Sequence, residues 1–337
     1  MPQKQNLTID DIARDLGVSK TTVSRAISGK GRISEATRSK VMAYVEKCNY
    51  RPSAAAKGLA ESRTYNLALV LPKSFIRMDL PHVRHSMNAI CEEAFLWDYN
   101  IVICLSTEAF PESLLRTLDN RKVDGVILSR TVEGDALVDV LKDRGIPFAT
   151  IGSLPPRVRG WATVEADHDQ EGGCCAFTKN FLQGTAEQTA LLGNDMRYIV
   201  NQSRLAGFNA AVDAIAFPRK YIHLRTGLGD PAACSAAVQE LLSKGVRKFL
   251  CMDDEICLYT YAVLLETGMK IPEDVQIASL FDSEKLAQCP TPISALRFDA
   301  GELGKTACRE LLRCLRSEPY DPKPTLGYRI IQRDSTL

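Results

Sequence analysis

Near the start of the chain, residues 7–28 read LTIDDIARDLGVSKTTVSRAIS. In its first half, apolar residues recur at three- and four-residue spacing, and Thr8 with Asp11 makes a capping-box-like start. This half predicts a helix that ends at Gly17. Ser19 then predicts the cap of a second helix, because its hydroxyl is followed directly by another run of helical spacing.

The second helix has two different faces. Val23, Ala26 and Ile27 form an apolar stripe, and the other positions carry hydroxyls and positive charge. Two short helices joined by a tight turn indicate a helix-turn-helix, which places its second helix in the major groove of DNA; the alternative is a helical hairpin with an ordinary solvated face. In the first interpretation, the base-reading candidates are Lys20, Thr21 and Arg25, and the phosphate-contact candidates are Thr8, Thr22, Ser24 and Ser34.

The composition is that of an ordinary globular chain. The 337 residues are 45% hydrophobic and 25% charged, and this length suits two or three domains. No stretch approaches the ~20 apolar residues of a membrane helix, and the N-terminus lacks the apolar segment of a secretion signal. We therefore expect a cytoplasmic protein without a membrane partner.

Charge is distributed unevenly along the chain. Residues 1–63 contain twelve Lys and Arg against six Asp and Glu, a net charge of +6, whereas the remaining 30 basic and 35 acidic residues give −5. A basic head on an acidic body indicates a module that binds a polyanion, attached to a part with another task.

A third helix, capped by Ser34 and reaching about Lys47, completes a small head domain. The segment after it, residues 49–60, has room for two helical turns, and Gly58 weakens a helix there by roughly 1 kcal/mol relative to Ala. It is either a flexible Ala-rich linker or a segment that becomes helical on DNA and inserts Leu59 into the minor groove. The second interpretation predicts that Gly58→Ala tightens DNA binding.

From residue 66 onward, apolar strand patterns alternate with amphipathic helical patterns. Strands without polar alternation, separated by helices, indicate parallel sheets covered on both faces, and the length of this region favours two sheets with a cleft between them. The predicted strands are 67–71, 101–105, 125–128, 148–151, 189–192, 221–224, 248–252 and 275–280. The predicted helices are 83–97, 135–144, 170–182, 203–216, 231–243, 255–266 and 302–315.

Motifs of catalysis and cofactor binding are not found. The sequence has no GxxxxGK phosphate loop, no GxSxG elbow and no complete GxGxxG motif. The eleven cysteines form no CxxC pair, and the four histidines lack a third partner at metal-ligand spacing, which favours buried thiols and core or solvated histidines over metal or redox sites. We expect no cofactor, no metal and no enzymatic activity.

Several separate segments, in the same order, resemble the LacI/GalR (lactose repressor) family of bacterial transcription regulators. They are residues 8–25, 50–59, 123–128 (VDGVIL), 144–147 (RGIP), 204–208 (RLAGF), 268–275 (GMKIPEDV) and 333–336 (RDST), and together they span nearly the whole chain. The resemblance implies an α/β protein with an N-terminal three-helix helix-turn-helix head and a two-lobed, periplasmic-binding-protein-like body of parallel sheets. The implied parts are a head at 1–50, a hinge helix at 51–63, a body N-subdomain at 64–164 and 294–322, and a body C-subdomain at 165–293 and 323–337.

The same resemblance implies the partners of the protein. It predicts a homodimer whose two heads bind a near-palindromic double-stranded operator, and a small-molecule effector in the cleft of the body. By position, the residues implied at DNA are Lys20, Thr21 and Arg25 on bases, Thr8, Thr22, Ser24, Ser28, Arg32, Ser34 and Thr37 near phosphates, Tyr50 at the end of the head, and Ala56 and Leu59 in the hinge helix.

For the effector, the resemblance assigns Arg204 the role of gripping hydroxyls or carboxylates, which suits its five-donor fork, and places Asp253 at the ligand. The alternative for Arg204 is a surface salt bridge. Gly152, Phe281 and Phe298 stand where family members often carry polar groups, so we expect an apolar, aromatic or anionic effector and not a neutral hexose. The alternative is a misalignment by one residue, or compensation by Ser74, Asp253 or Asp282.

Two rival functions share parts of this pattern. A solute-binding protein of a transporter has a two-lobed body but needs a secretion signal and no helix-turn-helix. An α/β enzyme with an appended DNA-binding head needs a nucleophile or a cofactor motif. The basic head and the order of the motifs favour a ligand-responsive, sequence-specific DNA-binding regulator, with repression as its expected mode.

Overall fold

The computed structural model describes residues 7–29, 31–48, 50, 58, 61–73, 81–106, 112–184 and 187–337. The chain divides into two units, Met1–Thr64 and Tyr65–Leu337. The first unit is the head and the second is the body.

The head contains the three helices that the sequence predicts. They are α1 (Ile9–Leu16), α2 (Lys20–Ser28) and α3 (Glu35–Lys47). Ile12, Val23 and Val41, one from each helix, are fully buried and form the centre of a small apolar core. Gly17 and Gly29 end the first two helices with φ values of 67° and 70°, a left-handed conformation that glycine adopts without strain.

The body contains two six-stranded sheets. The first has the order β11-β5-β4-β3-β1-β2 with all neighbours parallel, and the second has the order β12-β10-β9-β8-β6-β7, parallel except for β12. The strands are β1 (Asn66–Pro72), β2 (Asn100–Ser106), β3 (Gly125–Leu128), β4 (Phe148–Ile151), β5 (Val164–His168), β6 (Thr189–Leu192), β7 (Ile222–Arg225), β8 (Lys248–Cys251), β9 (Gln276–Ser279), β10 (Ser294–Arg297), β11 (Thr325–Leu326) and β12 (Arg329–Ile331).

Helices cover both faces of each sheet, as the continuous apolar strands predict. The helices are α4 (Pro81–Leu96), α5 (Glu112–Asp119), α6 (Ala136–Asp143), α7 (Gln170–Leu182), α8 (Ile199–Ala214), α9 (Pro231–Ser243), α10 (Asp254–Glu266), α11 (Glu284–Ala287) and α12 (Ala300–Leu315). In the first lobe, α4 and α12 pack on one face of the sheet and α5 and α6 on the other. In the second lobe, α9 and α10 cover one face and α7 and α8 the other.

The chain crosses between the lobes at three places: from β5 to α7, from β10 to α12, and from β11 to β12. The predicted subdomain boundaries therefore move by a few residues. Residues 165–168 and 323–326 belong to the first lobe because β5 pairs with β4 and β11 pairs with β5, and residues 294–297 belong to the second lobe because β10 pairs with β9.

The sequence missed several short elements. Strands β5, β10, β11 and β12 and helices α5 and α11 were not predicted. Strand β5, with the sequence VEADH, has polar residues inside it, so it has no continuous apolar run. Strands β11 and β12 are only two and three residues long, which is too short for such a run. Within the part of the chain that the structure describes, no helix combines the length and the apolarity needed to cross a bilayer.

Candidate functional site

One exposed face of α2 carries the side chains expected to read bases. Lys20, Thr21, Ser24 and Arg25 are all exposed, whereas the apolar stripe of the helix packs into the core of the head. Donors, acceptors and positive charge therefore lie on one surface. Side chains of these types can form hydrogen bonds with the acceptors and donors that base pairs present in the major groove.

The two basic residues of this face differ in their surroundings. Nζ of Lys20 lies 2.9 Å from Oδ2 of Asp10, in a pair whose side chains are 65% and 59% exposed. An exposed pair of this kind contributes only about 0–1 kcal/mol, so Lys20 is easily released to another acceptor. Arg25 lies against Gly31, where an added Cβ would come 3.0 Å from the Cδ of Arg25.

Hydroxyls that the sequence places near phosphates also cap helices. Oγ1 of Thr8 accepts from the backbone N of Asp11 at 3.3 Å and donates to its Oδ2 at 2.6 Å. Oγ of Ser34 accepts from the backbone N of Thr37 at 3.2 Å. The caps hold these hydroxyls at helix N-termini, where exposed N–H groups and the helix dipole favour a phosphate.

The remaining residues predicted at DNA are placed less uniformly. Arg32 is exposed in the loop between α2 and α3, and the hydroxyl of Thr22 lies 2.8 Å from that of Ser19. Tyr50 is half-buried against the core of the head, and burial raises the pKa of its hydroxyl. The side chain of Ser28 and the residues Ala56 and Leu59 lie outside the described part of the chain.

A cavity of about 530 Å³ lies between the two lobes of the body. It is bordered by the carboxyl ends of strands from both sheets, which is where open parallel sheets bind ligands. Among the predicted effector residues, the structure brings five to this cavity: Gly152, Arg204, Asp253, Phe281 and Phe298.

Arg204, on α8, is the buried cation of this cavity. Only 6% of the residue is exposed, its Nη1 is 3.5 Å from Oδ1 of Asn201, and its Nε is buried without a hydrogen-bond partner among the described residues. Its guanidinium lies 5.5 Å from the centre of the Phe281 ring. Burial lowers the pKa of Arg204, and Asp253 and other nearby acidic groups oppose that shift. The alternative of a surface salt bridge is therefore excluded by position.

A second arginine, Arg130, reaches the cavity from the first lobe, just after β3. Its guanidinium lies 5.4 Å from the centre of the Tyr198 ring, and its Nη1 is buried without a partner in the described residues. Next to Arg130 in the sequence, two backbone hydrogen bonds connect the two lobes. Glu133 N donates to Arg197 O at 2.8 Å, and Ile199 N donates to Thr131 O at 3.2 Å.

Two of the cavity carboxylates already accept hydrogen bonds from the protein. Asp167 accepts from the backbone N and the hydroxyl of Ser153 at 2.9 and 2.7 Å. Asp253 caps α10 by accepting from Ile256 N at 2.9 Å. Burial raises the pKa of Asp253 to about 6, against the opposing effect of that hydrogen bond.

Each of the two cleft phenylalanines contacts a histidine. His82, on α4 of the first lobe, packs edge-on against Phe281 of the second lobe with ring centres 5.0 Å apart. His168 packs against Phe298 at the same distance, and its Nε2 lies 3.2 Å from the carbonyl oxygen of Asp299. Burial lowers the pKa of both histidines, which favours neutral rings.

The structure does not bring Asp282 to this cavity, and the proposal that it compensates there is corrected. Its carboxylate is only 1% exposed and pairs with Arg297 at 2.6 Å and with Arg333 at 2.8 Å. It anchors the C-terminal segment to the second lobe. Ser74 lies outside the described residues.

Gly152 has a conformational reason to be glycine. Its φ is 100°, and a Cβ at this position would lie 3.2 Å from Oγ1 of Thr131. An aspartate here would be strained, because side-chain-bearing residues rarely adopt this backbone conformation. The backbone conformation at residue 152 therefore favours glycine over an acidic residue.

Sequence reasoning missed several polar residues of the cavity. Arg130 follows β3, Asn194 follows β6, and Asn201 lies one turn before Arg204 on α8. A signal for Arg130 and Asn194 was present, since polar residues directly after parallel strands lie where open sheets bind ligands. His82 had no such signal, because it comes from a helix of the other lobe.

The two parts of the chain match different family models. Residues 8–53 match the model of bacterial regulatory proteins of the lacI family, and residues 180–336 match that of a periplasmic binding protein-like domain. The catabolite control protein A of Staphylococcus aureus is 25% identical over 348 residues, covering 98% of this chain and 99% of that protein. The transcriptional repressor PurR of Aliivibrio fischeri is 26% identical over 341 residues, covering 98% of both chains.

Solved structures show the same fold. The crystal structure of the lac repressor dimer bound to operator and an anti-inducer has a TM-score of 0.78 at 20% identity, covering 99% of this chain and 100% of that one. The complex of the transcriptional regulator CelR with cellobiose has a TM-score of 0.71 at 23% identity, covering 98% and 99%.

Proposed function

Since the chain belongs to the LacI family of bacterial regulatory proteins, we propose that its head reads a near-palindromic operator and that a small molecule in the interlobe cavity controls this binding. The single observation that carries the proposal is the buried Arg204, whose unpaired Nε belongs to a cavity between two lobes. A polar group buried in this way favours a bound partner, because an unsatisfied donor costs about 1–3 kcal/mol.

The head supports the DNA half of the proposal. Its exposed α2 face offers Lys20 and Arg25, and residues 1–63 carry a net charge of +6. Basic residues supply the sequence-independent attraction to phosphates, whereas side chains on α2 supply base readout. We propose Lys20, Thr21 and Arg25 for bases, and the capping hydroxyls together with Thr22, Ser24, Arg32 and Thr37 for the backbone.

We propose that the protein acts as a homodimer. Phe95 and Leu96 at the end of α4 are 79% and 73% exposed, and Ile103 on the edge strand β2 is 50% exposed. Large apolar side chains clustered in neighbouring elements are typical of a protein-protein interface. A two-fold dimer presents two heads to two half-sites, which explains why a palindromic site is expected.

The test of this function is selection of DNA from a random duplex pool by the full-length protein. The expected result is an enriched site with two inverted half-sites, bound by two chains as shown by sedimentation of the complex. Enrichment of a single half-site, or of no sequence at all, would contradict the proposal. Lys20→Ala combined with Arg25→Ala is the matched variant and is expected to abolish the enrichment.

The rival functions are less well supported. We propose that the protein has no enzymatic activity and acts in the cytoplasm, where its DNA target lies. Within the described residues, no group of three His, Cys, Asp or Glu side chains is placed to hold a metal ion. Incubation with metabolite pools is expected to give reversible thermal stabilisation and no turnover. Product formation that an Arg204→Gln variant loses would favour the enzyme instead.

A further inference from the structure

The cavity contains two guanidinium groups that come from opposite lobes. Arg130 belongs to the first lobe and Arg204 to the second, and neither has a carboxylate oxygen within 4.0 Å among the described ion pairs. One nitrogen of each, Nη1 of Arg130 and Nε of Arg204, is buried without a hydrogen-bond partner in that part of the chain. Because arginine stays protonated in proteins, both remain cations with unused donors.

Several residues that line this cavity carry a buried polar atom without a hydrogen-bond partner among the described residues. Five such atoms belong to residues of the cavity lining. These five are Ser86 Oγ, Ser129 Oγ, Arg130 Nη1, Gln170 Oε1 and Arg204 Nε. The two arginine nitrogens can only donate, Gln170 Oε1 can only accept, and the two serine hydroxyls can do either. The unused donors that carry positive charge are therefore those of the arginines, and they favour a ligand that offers them acceptors.

The carboxylate acceptors of the cavity are already partly used by the protein. The oxygens of Asp167 accept from Ser153 and from the backbone N of His168, and one oxygen of Asp253 caps α10. A neutral sugar must donate its own hydroxyl protons as well as accept, and each hydroxyl left unpaired in a buried site weakens binding. The charged acceptors that remain for that purpose are Asp254 and the second oxygen of Asp253, and the neutral ones are Gln170 Oε1 and the hydroxyls of Ser86 and Ser129.

The rest of the lining is apolar. On the first lobe it consists of side chains from β1, α4 and α12, and on the second lobe it includes the two cleft phenylalanines. The residues are Leu69, Leu71, Val83, Met87, Ile90, Leu303, Phe281 and Phe298. An apolar or aromatic body buries its surface there without losing hydrogen bonds.

Resting on the proposed role of this cavity as the effector site, we infer that the effector is a small carboxylate with an apolar body, whose carboxylate lies between Arg130 and Arg204. Hydrogen bonds between guanidinium and carboxylate are charge-assisted and are stronger than neutral ones. A carboxylate held by both arginines links the two lobes, so its binding favours the closed arrangement in which residues 131–133 contact residues 197–199.

The experiment uses matched pairs of probes on the full-length protein. Benzoate, phenylacetate and 3-phenylpropionate are each compared with their own neutral amide, and with glucose and ribose, by thermal shift and calorimetry. The three acids vary the distance between the carboxylate and the ring. At about 10 mM, even weak binding to the folded state raises the melting temperature. At least one carboxylate is expected to bind at least tenfold more tightly than its amide and than either sugar.

The variants test both arginines separately. Arg130→Gln and Arg204→Gln each remove one cation, and each is expected to reduce the preference for the carboxylate over its amide by about tenfold. The control is Arg157→Gln, which removes an arginine that is 62% exposed on the first lobe and pairs with Asp139 at 3.8 Å. This control is expected to keep the full preference.

Three results would overturn the inference: no carboxylate binds at this concentration, an amide or a sugar binds as well as the best acid, or either cavity variant keeps the full preference. None of them affects the operator selection by the unliganded protein. Failure of that selection would instead count against the proposed function, so the two failures are distinguishable.

Discussion

The guanidinium of Arg204 lies 5.5 Å from the centre of the Phe281 ring, so this buried cation rests near an aromatic face, and no ion pair among the described residues includes it. His82 of the first lobe packs against the edge of the same ring. The arrangement orders three side chains from two lobes around one wall of the cavity. The surroundings of Arg204 therefore include side chains of both lobes.

Base reading by α2 is tested with Lys20→Ala and Arg25→Ala. Each variant is expected to lose roughly 1–3 kcal/mol of discrimination between the selected operator and random DNA, because each removes a base-edge contact. The control Lys47→Ala removes the same charge from an exposed position on α3 and is expected to weaken binding to both DNAs equally. Fluorescence anisotropy measures all four proteins, and full discrimination in both α2 variants would refute the assignment.

Asp253 predicts a pH dependence of stability. Its folded pKa is raised from 3.8 to about 6 by burial, so between pH 4 and pH 6 the folded protein holds a proton that the unfolded chain has lost. Its contribution therefore favours folding at low pH and is lost as the pH rises to 6, by about 2–3 kcal/mol.

Asp253→Asn separates this contribution from those of other groups, because asparagine also caps helices well but does not titrate. Urea unfolding at pH 4.5 and pH 7 is expected to show that the variant gains stability relative to the natural protein as the pH rises. An equal stability difference at both values would show that Asp253 has an ordinary pKa.

Asp282 is expected to act in stability and not in effector binding. Asp282→Asn breaks a buried pair with Arg333 and is expected to lower the free energy of unfolding by about 3–5 kcal/mol, since an unpaired charge is left in the interior. The control Asp213→Asn breaks an exposed pair with Arg219 and is expected to cost less than about 1 kcal/mol. Chemical denaturation measures the stability of both variants. If Asp282→Asn changed the effector affinity without a loss of stability, Asp282 would belong to the effector site instead.

Gly152→Ala tests the backbone explanation for the missing acid. The variant is expected to lose about 1–3 kcal/mol of stability, because φ is 100° and the new Cβ meets Oγ1 of Thr131 at 3.2 Å. Gly327→Ala is the control, since Gly327 has no left-handed φ and no atom within 4 Å of an added Cβ. Equal stability of the two variants, measured by thermal unfolding, would mean that Gly152 is not strained by a side chain.

Local patterns predicted the regular parts of the molecule well. The caps at Thr8, Ser19 and Ser34 lie where the sequence placed them, because each depends on two residues three positions apart. The buried strands were found because both of their faces are apolar. Strands β5 and β11 were not predicted, because neither has a local apolar run and each forms by pairing with residues distant in the sequence.

The candidate site was predictable only in part. Arg204 and Asp253 were found from the resemblance, but the pairing of Asp282 with Arg333, a partner 51 residues away, has no local signal. The expected gain from Gly58→Ala does not follow from the structure either. A Cβ at Gly58 would lie 2.5 Å from the carbonyl oxygen of Arg63, so helix propensity alone does not decide that substitution.

The central claim is that a small molecule in the interlobe cavity controls DNA binding by the head. Its most direct test is an anisotropy titration of the selected operator with and without the carboxylate that stabilises the protein most, using the natural protein and Arg204→Gln. The carboxylate is expected to change the operator affinity of the natural protein by about 5-fold or more and to leave that of the variant unchanged. An operator affinity that the carboxylate does not change in the natural protein, or changes equally in the variant, would contradict it.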